Sequence, residues 1–207
     1  MPGSATRYLY LARHGEATPD ESALSENGRQ QAGFLGDRLR DVPLSAISHG
    51  PLPRAAQTAQ LIADRLEGVP VRSAEAAGDY IPCLPQEHEL PPESAEYLLA
   101  WLDRVPPDEL ESGAGLAREA MELFTGPVPG DLPDHQLVVT HNFLIAWLVR
   151  AALDGPRWRW LGLAHCNAAL TVIRYPPDQP AGVLVYNDMT HLPEQLRWTG
   201  FPAELRV

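Results

Sequence analysis

The feature that most constrains the fold is an alternation of short apolar runs with amphipathic stretches, in which two of the runs end directly on a histidine. Apolar spacing predicts a strand over 8–12, a helix over 25–40, a strand over 44–48 and a helix over 52–66, a βαβα opening. Ser25 is suited to cap the first helix, with Glu26 in its first turn and Ala32, Leu35 and Leu39 on one face. Pro51 suits the first turn of the second helix, whose apolar stripe runs through Ala55, Ala59 and Ile62. After a short strand over 69–72, the segment 75–111 changes character. It carries prolines at 82, 85, 91, 92, 106 and 107 and one predicted helix over 94–102, and so reads as a loop-rich lid inserted in the domain. A helix over 116–124, a strand over 136–140 and a helix over 143–153 follow. Two β runs over 168–175 and 182–186, joined by a proline-rich turn, predict an antiparallel edge. The expectation is one α/β domain over 1–207, a three-layer α/β/α sandwich with a mostly parallel central sheet.

Charge narrows the partners. The 27 acidic residues outnumber 16 basic ones in a chain of 207, a formal charge of −11 that repels nucleic acid and anionic membrane over most of the surface. All the basic residues are arginine, which excludes a Schiff-base lysine and a P-loop lysine. Cys83 and Cys166 are too few and too far apart for a CxxC motif or a disulfide framework, as in a reduced compartment. With no leader pattern over 1–12 and no apolar run near the ~20 residues that span a bilayer, the expected location is the cytoplasm.

The two histidines occupy equivalent places. His14 follows the first predicted strand and His141 the strand over 136–140, so both stand at strand carboxyl ends, the edge where open α/β sheets bind ligands. His141 also opens a helix, whose N-terminal amides favour an anion. Arg13 precedes His14, and Arg54 lies in the first turn after the strand over 44–48, where a cation is slightly unfavourable against the helix dipole unless an anion joins it. Two guanidinium forks and two imidazoles suit a tetrahedral anion such as phosphate or sulfate.

Four ordered segments then resemble the histidine phosphatase superfamily, the phosphoglycerate-mutase-like fold. Arg13-His14-Gly15-Glu16 is similar to its RHGE signature, and the segment 24–32, LSENGRQQA, to LTxxGxxQA. The segment 51–59, PLPRAAQTA, matches PLxRAxQTA, and Val138-Val139-Thr140-His141 matches VVTH. The resemblance covers residues 7 to about 186. It implies that His14 takes the phosphoryl group while Arg13, Arg54 and His141 hold its oxygens, with no metal or cofactor. It also implies a carboxylic acid for the leaving oxygen, and Asp79 is the candidate, with Glu93 as runner-up.

The departures from the pattern bear on the site. Ala17 and Asp20 stand where threonine and asparagine follow RHGE, Gly50 where serine precedes PLxRA, and Asn142 where glycine follows the second histidine. Within 75–111 there are ten acids and one arginine, Arg104, a balance that would repel a bisphosphate. The expected function is hydrolysis of a small phosphomonoester. A phosphoglycerate-mutase-type transferase, a protein phosphohistidine phosphatase and a phospho-ligand-binding module without turnover are the alternatives. The leaving group is expected to be neutral, cationic or aromatic, with Tyr80, Tyr97 and Trp101 as stacking candidates. The tryptophans of Arg157-Trp158-Arg159-Trp160 are expected to pack on a helix.

Overall fold

The computed structural model describes residues 3–103, 105 and 107–206. In chain order the elements are β1 Ser4–Ala5, β2 Arg7–Arg13, α1 Glu26–Arg38, β3 Leu44–His49, α2 Pro53–Ala63, β4 Val71–Ser73, α3 Ala95–Leu102, α4 Pro107–Phe124, β5 Val128–Pro129, β6 Asp134–Thr140, α5 Asn142–Ala152, β7 Leu170–Tyr175 and β8 Gly182–Asp188. Six strands form one sheet in the order β4-β3-β6-β2-β7-β8. The pairs β4–β3, β3–β6 and β6–β2 are parallel, while β7 runs antiparallel to both β2 and β8. The expected mixed α/β sheet with an antiparallel edge is the observed one.

Alternation along β2 divides the core. Leu9 and Leu11, both fully buried, pack with Ala117 and Ala120 of α4 and Leu144 and Leu148 of α5. Ala12 points the other way, into a layer with Leu35 of α1 and Ala55, Ala59 and Ile62 of α2. Burying each leucine contributes roughly 1.5–3 kcal/mol, so a register slip by one residue would expose the strand's apolar set. Helices α1 and α2 thus cover one face and α4 and α5 the other, giving three layers. In β6, buried from Leu137 to Thr140, apolar residues are consecutive, as befits a parallel strand covered on both sides.

Local chemistry sets the element ends. Ser25 caps α1 by accepting from the Gly28 amide at 3.0 Å. Within α1, a Cβ on Gly36 would lie 2.8 Å from Arg65 Cγ, so its absence lets the chain after α2 approach closely. Helix α4 starts at Pro107, nine residues before the sequence expectation, so the end of the expected loop-rich segment is helical. Proline suits a first helical turn, and Gly113, a breaker by propensity, is used inside the helix because its missing Cβ makes room for the Ile81 carbonyl. Strand β7 begins at Leu170, two residues late, because Ala168 has a left-handed φ of 54°. The β1–β5 ribbon was too short to leave a sequence pattern.

Trp160 packs as expected, fully buried edge-on against Phe143 of α5. Cys83 and Cys166 are both free and buried. Among the described residues no helix is long and apolar enough to cross a membrane. Four charged residues of the expected acidic segment, Arg104, Asp108, Glu109 and Glu111, have side chains outside the described residues.

Candidate active site

Because β2 and β6 are parallel neighbours, their carboxyl ends stand side by side, and the residues that leave them, His14 and His141, face each other. The ring centroids are 4.9 Å apart with a 55° tilt. Backbone bonds hold His14 from both flanks. Its amide donates to Thr140 O at 3.0 Å, and its carbonyl accepts from Asn167 Nδ2 at 3.0 Å.

The motif residues around it secure the loop. The Gly15 amide donates to Thr58 Oγ1 at 3.0 Å, and that hydroxyl donates to the Arg54 carbonyl at 2.7 Å, tying the loop to α2. A Cβ on Gly15 would lie 2.5 Å from Gly28 O, so both glycines are required where the loop crosses the start of α1. Glu16 accepts from Ser25 Oγ at 2.7 Å, and its amide donates to the fully buried Gln31 at 2.8 Å. Glu16 and Gln31 therefore support the loop.

The His14 ring has a defined tautomer. Nδ1 lies 2.7 Å from Gly15 O, and because a carbonyl only accepts, Nδ1 carries the proton. Nε2 is left with a lone pair, toward which Arg54 Nε–H donates at 3.2 Å. Burial, reinforced by His141 and the Arg13 charge, pushes the imidazole down to about 3, so it is neutral at physiological pH. His141, buried and flanked by Arg54 and Arg13, is likewise pushed down to about 3. Neither of its ring nitrogens has a hydrogen-bond partner among the described residues, although Asp79 Oδ2 lies 3.4 Å from Nδ1.

Arg54, the second residue of α2, is the hub. Its guanidinium is buried, with Nη2 donating to Asp79 Oδ2 at 2.8 Å and Nη1 lying 3.4 Å from Glu21 Oε2. Arg13 donates through Nη1 to the carbonyls of His165 at 2.7 Å and Gly200 at 2.6 Å. Asp79 is set by the turn before it, where the Ala77 carbonyl accepts from Thr140 Oγ1 at 2.7 Å. A cavity of about 300 Å³ opens among these groups, lined by Arg13, His14, Asp79 and His141 together with Asn142, Phe143, Ala164, Gly200 and Pro202. His141 forms no side-chain cap on α5, so the first turn of that helix meets the cavity uncapped, a setting that favours an anion.

All five expected site residues, Arg13, His14, Arg54, Asp79 and His141, are thus brought together. Glu93 is not: it is exposed and away from the cavity lining. The aromatic expectation also fails. Tyr80 is buried with its hydroxyl on Ala76 O at 2.7 Å, Trp101 packs on Phe143 and Trp160, and Tyr97 is exposed. The apolar demand of the core claims Tyr80 and Trp101, and Phe143 is the phenyl ring lining the cavity. Sequence reasoning missed Glu21, Asn167, Gly200 and Pro202. The last two lie on a tail of turns with no periodicity to read. Asn142 gave one signal by departing from glycine: its Oδ1 accepts from the His165 amide at 2.8 Å.

A mixed α/β sheet with two histidines and two arginines at one edge defines the class, and comparison supplies the family. Residues 9–188 match the model of the histidine phosphatase superfamily, branch 1, and the chain belongs to that family. It is 25% identical over 201 residues to the serine/threonine-protein phosphatase Pgam5, mitochondrial, of Drosophila willistoni, covering 91% of this chain and 65% of that protein. The chain spans just under two thirds of that relative's length. Its fold is similar to a putative alpha-ribazole-5'-P phosphatase from Escherichia coli (TM-score 0.66, 19% identity, 88% of this chain and 96% of that one). It is also similar to a phosphoglycerate mutase from Plasmodium falciparum (TM-score 0.61, 21% identity, 92% and 96%).

Proposed function

We propose that the protein is a phosphatase that hydrolyses a small phosphomonoester through a phosphohistidine at His14. The observation that carries this reading is the His14 ring, with its Nδ1 proton committed to Gly15 O and its Nε2 lone pair turned toward Arg54 beside the cavity. A neutral imidazole with its other nitrogen held by an acceptor is prepared for attack, and the Gly15 carbonyl stabilises the positive charge that develops on the ring.

In the first step Nε2 bonds to phosphorus, the bond to the ester oxygen breaks, and Asp79 gives that oxygen a proton. In the second, water attacks phosphorus, Asp79 takes a proton from the water, and the N–P bond breaks to release phosphate and restore neutral His14. Arg13 and Arg54 hold the phosphoryl oxygens, and a His141 N–H that has no hydrogen-bond partner among the described residues donates to another. The incoming phosphate competes with Asp79 for Arg54, which frees the Asp79 carboxyl to face the leaving oxygen. Residues 1–207 act as one domain in this reading, with 75–111 as its lid. Hydrolysis is favoured over the mutase reaction because the lid segment 75–111 carries ten acids against a single arginine, Arg104, and no lysine to hold a second phosphate.

The test is covalent trapping. A phosphomonoester carrying radiolabelled phosphate should leave an acid-labile, base-stable adduct on the wild-type protein and none on His14→Ala. Full labelling of that variant would overturn the assignment.

A further inference from the structure

Every nitrogen of the Arg54 guanidinium already faces a protein group: Nε faces His14, Nη2 faces Asp79 and Nη1 faces Glu21. The proposed chemistry uses His14 and Asp79 but gives Glu21 no task. The contact is built into the loop that follows His14. Glu21 has a φ of 57°, unusual for a residue with a side chain, and its amide donates to Thr18 O at 2.8 Å. The Asp20 carboxylate beside it accepts from the hydroxyls of Thr18 at 2.6 Å and Ser22 at 3.0 Å, fixing the turn. The charge of Glu21 also acts weakly on Arg13, after burial and the charge of Asp79.

Charge balance makes this contact consequential. The one guanidinium group of Arg54 faces two carboxylates, Asp79 and Glu21. A phosphomonoester that takes over the arginines brings up to two negative charges. Asp79 has a task in the reaction as its proton donor, but Glu21 is left beside the phosphate, having lost its partner. A neutral or anionic leaving group leaves that repulsion standing, whereas a ligand carrying its own cation supplies a replacement partner. The acid that serves the leaving oxygen and Glu21 flank the same guanidinium, so a cation close to the ester oxygen is on the correct side.

We propose that Glu21 is a specificity-determining residue whose carboxylate receives an ammonium on the leaving alcohol, so that the preferred substrates are phosphomonoesters of amino alcohols. This rests on the phosphatase reading above and narrows its substrate class. The net charge of −11 acts in the same direction, drawing cationic groups toward the surface.

The test compares phosphoethanolamine with n-propyl phosphate, which has the same chain length with a methyl in place of the ammonium. Their intrinsic leaving-group difference cancels when wild type is compared with Glu21→Gln. The ratio of kcat/KM for the two esters should fall about three- to fivefold in Glu21→Gln, the scale of an exposed ion pair, because the Glu21 side chain is 70% exposed. Added salt should lower the wild-type ratio in the same direction. Asp64→Asn, an exposed acid capping α2, should leave the ratio unchanged. An unchanged ratio in Glu21→Gln overturns the proposal. If no ester, p-nitrophenyl phosphate included, is turned over by the wild type, the phosphatase reading falls, and the same ratio taken from calorimetric affinities still decides the role of Glu21.

Discussion

Arg54 Nε stands 3.2 Å from His14 Nε2, so the guanidinium that would bind the phosphate also marks the lone pair that would attack it. One side chain thereby aligns electrophile and nucleophile, and two physical facts permit it. Arg54 occupies the first turn of α2, beyond the carboxyl end of β3, and His14 directly follows β2 at the same edge, where the Gly15 amide ties the chain to Thr58 of α2.

Arg54→Lys should therefore be far from conservative. A lysine has no second edge, so it cannot face His14 and hold a phosphate at once. We expect kcat/KM on p-nitrophenyl phosphate to fall by about 10²-fold or more, the scale of losing a preorganised donor. Steady-state kinetics decide it, and a loss below tenfold would mean that Arg54 is not a phosphate ligand.

Asp79→Asn should separate two classes of substrate. An alkoxide leaves poorly unless protonated, whereas p-nitrophenolate departs unaided. Hydrolysis of alkyl phosphates should slow by roughly 10²-fold, and that of p-nitrophenyl phosphate much less. Equal losses would assign Asp79 to phosphate binding or structure.

Gly50→Ser restores the residue common in the family pattern, yet it should harm this chain. A Cβ at position 50 runs into the Ala77 carbonyl, two residues before Asp79. We expect a stability loss of roughly 1–3 kcal/mol by denaturant titration, the usual cost of overpacking. The rate on alkyl phosphates should drop more than that on p-nitrophenyl phosphate, because the displaced backbone carries Asp79.

Acid should destabilise the protein through its buried histidines. Burial pushes His14, His141 and His165 down to about 3 from 6.5. Between those values the unfolded chain binds more protons than the folded one. The stabilising contribution is therefore complete above about 6.5 and is lost as pH falls through the window toward 3. Each group contributes a slope of up to about 1.4 kcal/mol per pH unit. His165 makes no ring hydrogen bond among the described residues and packs edge-on against Tyr186. Its replacement in His165→Phe should keep the ring contact and flatten the dependence of Tm on pH between 4 and 6.5, as calorimetry would measure. An unchanged slope would contradict the linkage.

The alternation of apolar runs was enough to read the layered sheet, because strand and helix periods are local properties of the chain. The same holds for Arg13, His14 and His141, directly at strand ends, and for Arg54 in the first helical turn after one, positions that assign them to one sheet edge before any contact is known. Tertiary structure decided the rest. Strand order put β6 beside β2 and so brought the two histidines to 4.9 Å. Competition for the core withdrew Tyr80 and Trp101 from the cavity, and Gly113 became part of a helix because the Ile81 carbonyl needed the space of its missing side chain. Glu21 reaches Arg54 through a left-handed turn, and the tail around Gly200 reaches the cavity through the return of distant backbone. Neither leaves a periodic mark, because periodicity records which face of an element is buried and carries no record of where a loop comes to rest.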